Sequence, residues 1–174
     1  MSSIDENTAQ TDTATAWRDS DPVWMRHALA LAARAELEDG EIPVGAVVLD
    51  SSGSVVARAH NQREGSVDPT AHAEVLALRE AAAVLQRWRL DDCTLVVTLE
   101  PCPMCAGAVV MARIPRLVFG AWNDEYGAAG SRWDLVRDRR LHHRTEVMGG
   151  LLADECGAMV REFMVAQRPV REVR

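Results

Sequence analysis

Apolar positions along the chain change their period several times, and each change marks an element. Over 21–39 they recur every three or four residues, with Trp24, Ala28, Leu31, Ala35 and Leu37 on one helical face. Asp21-Pro22 reads as an N-cap with Pro at the first helical position, and Gly40 ends the helix. The segments 43–50 (PVGAVVLD) and 54–59 (SVVARA) form two strands around Ser51-Ser52-Gly53, a hairpin pattern. A loop through Gly65 leads to Asp68-Pro69, which is expected to cap a second helix running to about Leu85 on Ala73, Leu76, Ala77 and Ala83. The segment 93–100 (CTLVVTLE) is a continuously apolar strand, PCPMCAGAVVMAR opens a helix, and 116–121 (RLVFGA) is a further strand. Short connections make these two strands parallel, in one βαβ unit with a right-handed crossover. A Gly-rich loop over 122–131, a short helix around 133–136, a last strand at 145–150 and an amphipathic helix over 153–166 complete the pattern. Strands alternating with helices after an antiparallel hairpin predict an α/β domain, a three-layer α/β/α sandwich around a mixed five-stranded sheet.

Length and composition agree with one such domain. The chain has 174 residues, 48% apolar and 26% charged, as a globular protein with a single core requires. The expected boundaries are a flexible acidic N-terminal tail over 1–20, the domain over 21–168 and a C-terminal tail over 169–174. No apolar run approaches the ~18 residues of a membrane helix, and the first residues carry neither the basic nor the apolar part of a secretory signal. A cytoplasmic, reducing setting without disulfides is therefore expected. Of the net charge of −7, the segment 1–21 carries −4, from Asp5, Glu6, Asp12, Asp19 and Asp21 against Arg18, leaving −3 for the rest. That balance argues against nucleic-acid binding through the field of the whole molecule and leaves room for a local basic patch.

The four cysteines differ in setting. Cys93 and Cys156 stand singly in a strand and a helix and read as small buried hydrophobes. Cys102 and Cys105 form a Cys-x-x-Cys just after Pro101 at a strand-to-helix junction, where free amides and the helix dipole stabilise thiolates. Such a pair suits metal ligation or redox chemistry. A zinc ribbon would need a second close ligand pair, which the chain lacks. His72, expected in the first turn of the helix opened by Asp68-Pro69, is a well-placed third ligand, and Glu74 follows two residues later. One His and two Cys leave a fourth tetrahedral position open to water, the arrangement of a catalytic Zn²⁺ site, where the pKa of water falls from ~15.7 towards ~7. A carboxylate beside it that does not bind the metal can carry the proton, and Glu74 is the candidate.

His-Ala-Glu at 72–74 followed by PCPMC at 101–105 matches the H-x-E and P-C-x-x-C signature of the zinc deaminases of nucleobases. IPVGAVV at 42–48, HNQR at 60–63, DPTAHAEVLALREA at 68–81, VTLEPCPMCAGAVVMARI at 97–114, LVFGA at 117–121, GAAGS at 127–131 and GGLLADEC at 149–156 extend the match. Over residues 22 to about 166 the chain resembles the bacterial tRNA-specific adenosine deaminases, within the cytidine deaminase superfamily. The resemblance implies a cytidine deaminase-like fold and zinc-dependent hydrolytic conversion of adenosine to inosine at the tRNA wobble position, in a homodimer. It also implies His72, Cys102 and Cys105 as zinc ligands, Glu74 as proton shuttle, and Asn61 and the backbone of Ala73 as contacts to the flipped base. For Asn61 the alternative is an Asx-turn residue after the second strand.

Two segments depart from the family pattern. After FGA the family commonly places an acidic residue and then a Lys, whereas Trp122-Asn123-Asp124-Glu125-Tyr126 has no cation. The final helix carries Phe163-Met164-Val165 instead of a Phe pair and ends in a tail without Lys. Both changes remove groups that hold RNA. The stretch RDRRLHHR at 137–144 could supply phosphate contacts through Arg139, Arg140 and Arg144, or be a solvated surface paired with local acids. Periodicity places Trp88, Met111 and Trp133 equally in the core or at a subunit interface. Three other functions fit some of these residues: a deaminase of a free base or nucleoside such as guanine, cytosine or cytidine, a thioredoxin-like redox protein, and a non-catalytic RNA-binding module stapled by metal.

Overall fold

A computed structural model describes residues 17–167. The N-terminal tail expected over 1–20 lies mostly outside them and the C-terminal tail at 169–174 wholly outside. The elements in order are α1 (Asp21–Asp39), β1 (Gly45–Leu49), β2 (Val55–His60), α2 (Arg63–Ser66), α3 (Ala73–Leu85), β3 (Thr94–Leu99), α4 (Pro103–Met111), β4 (Arg116–Ala121), β5 (Glu146–Gly149) and α5 (Ala153–Ala166). The strands form one sheet in the order β2-β1-β3-β4-β5. β1 is antiparallel to both β2 and β3, while β3, β4 and β5 run parallel. The expected α/β class, mixed sheet and βαβ unit are all present.

Alternation along the strands sorts the core into two layers. Ala46, Val48, Leu95, Val97, Leu117 and Phe119 face α3 and α4, meeting Ala73, Ala77, Leu78, Ala81, Ala106 and Val109. Val47, Leu49, Val96 and Val118 face the opposite way, onto Met25 and Ala28 of α1 and Cys156 of α5. Small residues let the helices come close. A Cβ on Gly45 would lie 2.0 Å from the Ala28 carbonyl oxygen, and one on Gly120 would lie 2.3 Å from Cys156 Sγ. Cys93 and Cys156 are buried free thiols as expected, and burial pushes them up to about 12 and about 11 respectively.

Three expectations need correction. The helix after Asp68-Pro69 begins only at Ala73, so His72 is its N-cap and lies outside the first turn. Asp68 Oδ1 accepts the Thr70 N–H and hydroxyl and the Asp68 carbonyl accepts the Ala71 N–H, closing a turn where the helix was expected to open. The segment 133–136 is not helical. Its backbone is spent on bonds across the loop, with Trp133 N–H on Gly127 O, Leu135 N–H on Ala128 O and Gly130 N–H on Trp133 O. At the start of α1 Asp21 is the first helical residue, and Ser20 takes the N-cap position. Trp88, Met111 and Trp133 are all exposed, which removes them from the core.

Asp21 leaves the capping role for a larger one. Its two carboxylate oxygens accept from Arg116 Nη1 and Nη2 at 3.0 and 2.8 Å, with side-chain exposures of 2% and 3% for the two partners. The pair fastens the start of α1 to the start of β4, and Glu146 stands 3.6 Å from Arg116 Nε. Removing one member strands a buried charge. Asp21→Ala is therefore expected to lower unfolding free energy by about 3–5 kcal/mol in urea titration, and Asp21→Ala combined with Arg116→Met to lose less than Asp21→Ala alone.

Candidate active site

The ends of the elements described above converge at one edge of the sheet. β3 delivers Glu100, Pro101 and Cys102 from its C-terminal end, and α4 begins at once with Cys102 as its N-cap. α3 opens beside it with His72 as N-cap in extended backbone conformation. Two helix N-termini thus present their free amides and partial positive charge to the same point. There His72 Nδ1 lies 3.8 Å from Cys102 Sγ and 3.5 Å from Cys105 Sγ. All three donor atoms fall within 4.8 Å of one another.

The donor set fits zinc. With Zn–S of about 2.3 Å and Zn–N of about 2.0–2.1 Å, tetrahedral angles put sulfur and nitrogen about 3.6 Å apart, as found here. Without metal the trio shares its protons unequally. A hydrogen bond from Cys105 and the His72 imidazole hold the Cys102 thiol down at about 4, while donation to Cys102 and burial push Cys105 far up. The same Cys102 contact raises His72. Burial raises Glu74, in the first turn of α3.

Glu74, His72 and Cys102 line an open cavity of about 930 Å³, and Cys105 is fully buried beside them. Ile42, Val44, Met104, Val160 and Met164 give the lining apolar groups, and Asn61, Glu100 and the run 122–126 complete it. Arg63 is the only cation among the lining residues, against Glu74, Glu100, Asp124 and Glu125. Asn61 is buried, and its Oδ1 accepts the Ala73 N–H at 3.1 Å, which orients the amide and turns its Nδ2 donors to other partners. The bond crosses twelve residues, so a local Asx turn is not its role. It also occupies the Ala73 N–H. Nearby, buried Glu41 holds the following segment by accepting N–H groups of Glu64 and of Gly65, the latter at 3.4 Å.

The sequence-expected arginines are not brought here. His143 Nε2 donates to Ile114 O, Arg113 donates to His142 O and Glu146 N–H bonds Pro115 O, so the end of the 137–144 segment sits at the start of β4, the opposite end of the parallel strands. Arg140 is engaged by Asp138 at 2.6 Å, and that neighbour holds the Asp138 carboxyl down at about 2. Arg139, Arg140 and Arg144 line no part of the cavity. Glu100 escaped sequence reasoning as a functional residue, while Met164 on α5, which departs from the family pattern, now stands in the cavity lining. The signal for Glu100 was a charge placed at the end of a wholly apolar strand.

The comparisons with known proteins agree with this geometry. Residues 18–121 match the model of the cytidine and deoxycytidylate deaminase zinc-binding region. A tRNA-specific adenosine deaminase of Bacillus subtilis is 47% identical over 143 residues, 82% of this chain and 88% of the relative. A solved structure from a study of A-to-I editing by tRNA:A34 deaminases superposes with TM-score 0.75 at 39% identity, over 79% of this chain and 98% of the other. The solved guanine deaminase of Nitrosomonas europaea superposes with TM-score 0.73 at 29% identity, over 83% and 84% of the two chains.

The proton sharing gives a pH-dependent outcome. In chelated protein Cys102 is a thiolate at every pH above about 4, whereas Cys105 stays protonated and buried. Iodoacetamide at pH 6 is expected to alkylate Cys102 first, detected by peptide mass, with labelling falling off as pH drops through 4 and suppressed when zinc is restored. By sequence and by fold, the chain belongs to the cytidine and deoxycytidylate deaminase family and, within it, to the tRNA-specific adenosine deaminases.

Proposed function

We propose that the chain is a zinc-dependent hydrolase that converts adenosine to inosine at the wobble position of a tRNA anticodon, releasing ammonia. The observation that carries this reading is the cluster of His72 Nδ1 with the two sulfurs, opening with Glu74 into one cavity. His72, Cys102 and Cys105 hold the ion, and zinc so held activates water for attack by lowering its pKa. Glu74 takes one proton of the attacking water and passes it to the ring nitrogen beside C6, then takes the hydroxyl proton of the C6 adduct and gives it to the amine, so that the C6–N bond breaks, the C6 carbonyl forms and ammonia leaves. Burial raises its pKa, the direction that suits a group that must give up a proton as well as accept one. Asn61 donates from Nδ2 to the base. Ala73 takes part only by fixing Asn61, since its N–H is already bonded. The cavity, near the top of the ~300–1,000 Å³ range of small-molecule pockets, has room for a flipped nucleotide together with its neighbours.

The homodimer belongs to the same proposal. α4 is apolar all round, and Met104 and Met111 are exposed on it in the isolated chain with half-buried Gly107 and Ala108 between them, Met111 at 59%. Such a stripe suits a second copy of the chain. The described residues hold no helix long and apolar enough to cross a membrane, and a tRNA substrate puts the reaction in the cytoplasm. Arg139, Arg140 and Arg144 meet the RNA, in this reading, only through stem phosphates far from the target base. Guanine deamination is the rival, favoured by the likeness to the Nitrosomonas europaea enzyme and by the carboxylates Asp124 and Glu125 at the cavity, which repel phosphate.

Incubation with an anticodon stem-loop and, separately, with guanine, cytosine, adenosine and cytidine decides between them. Inosine in the stem-loop is expected, with turnover weakening as salt rises. Turnover of guanine alone would replace the tRNA reading. Glu74→Gln is expected to keep one zinc per chain and its thermal midpoint while losing about 10²–10⁴-fold in kcat. For the dimer, sedimentation should give twice 19.1 kDa for the natural chain and 19.1 kDa for Met111→Glu.

A further inference from the structure

Glu100 is 1% exposed, follows the last residue of β3 and stands two positions before Cys102. Among the described residues no Arg or His pairs with its carboxylate. Backbone amides of one loop satisfy it instead. Oε2 accepts the Asn123 N–H at 3.0 Å, and Oε1 accepts the Ala129 and Ser131 N–H groups at 3.0 and 2.9 Å. The loop is thereby pinned at both ends, and between the pins lie Asp124, Glu125 and Tyr126 of the cavity wall. The chain passes so close over the carboxylate that a Cβ on Gly127 would lie 2.2 Å from Oε2 and 2.1 Å from Ser131 Oγ. Two main-chain bonds tie the same loop to the strand that carries the ligand, Ala128 N–H on Pro101 O and Glu100 N–H on Ala121 O, both at 2.8 Å.

A buried carboxylate without a counter-charge is a costly acceptor for holding a surface loop, and a loop that needed only to be ordered could close on its own carbonyls. What the carboxylate adds is a second tie between the 123–126 wall and the Cys102 sulfur, because the residue that holds the loop amides stands only two positions before Cys102 in the chain. We propose that Glu100 is a positioning residue for the deamination, setting the wall against which the base is held relative to the metal ligands. This rests on the deaminase reading above.

Glu100→Gln tests it, since the amide keeps the shape but must turn a donor toward one of the three N–H groups. Hydrogen exchange at the amides of Asn123, Ala129 and Ser131 is expected to quicken about 10-fold or more, with exchange in β3 and zinc content unchanged. The KM for the stem-loop, or for guanine if the natural chain turns over that instead, is expected to rise about 10-fold while kcat stays within about 3-fold. Gly127→Ala, which forces the loop off the carboxylate from the other side, is expected to give the same pattern. Unchanged exchange at the three amides in both variants, or a fall in kcat with zinc lost and KM unaltered, would overturn the proposal. A natural chain inactive on the stem-loop would strike the substrate reading alone, because exchange and zinc content report on the loop without any substrate.

Discussion

Two helices that begin at the same point in space are the constraint on which the rest of this molecule depends. α3 and α4 each start with a proposed metal ligand at the N-cap, His72 and Cys102, and their first turns supply Glu74 and Cys105. A residue at an N-cap keeps extended backbone and has not yet entered the helix, as His72 and Cys102 do here, so its side chain projects by the free amides rather than into the packed faces. The sheet brings the two starts together, because β3 ends where α4 begins and α3 crosses the same layer. The positive ends of both helices then favour the thiolate that the site needs.

Around that point buried carboxylates act on backbone amides more than on cations. Glu41 holds the amides of Glu64 and Gly65, which follow Asn61, and Glu100 holds three amides of the opposite wall. Only Asp21 finds an arginine, and it does so at the far end of the sheet. The two ends of the strands are thus stabilised differently, one by a charge pair closing a core and the other by charge-assisted hydrogen bonds shaping a cleft.

Much of this could be read from the residues. The change of period from helix to strand located every long element, and the spacing of His72, Glu74, Cys102 and Cys105 named the cluster before any coordinate. What escaped was local hydrogen bonding. Asp68 preferred its own turn to capping α3, and the 127–135 backbone paired with itself instead of coiling, both choices that depend on partners a few residues away in either direction. Long-range use of polar groups was invisible as well: nothing in the string around Asn61 says that its oxygen is taken by Ala73, and nothing near Arg116 points to Asp21. The arginine run left two readings open, a phosphate patch or a surface paired with local acids, and its own aspartate engages Arg140 as the second has it.

The alanines of the helix faces carry a mechanical consequence. Ala73, Ala77 and Ala81 of α3, like Ala28, Ala32 and Ala35 of α1, are fully buried, and an alanine has no rotamer to lose or to shift. Where larger side chains meet, a change in one is absorbed by rotation in another; here methyl groups rest against the sheet with no such slack. The gap between helix and sheet is therefore set by the backbones themselves. A displacement forced by added bulk along that seam is carried down the rigid rod of α3 to its N-cap, which is where the imidazole stands.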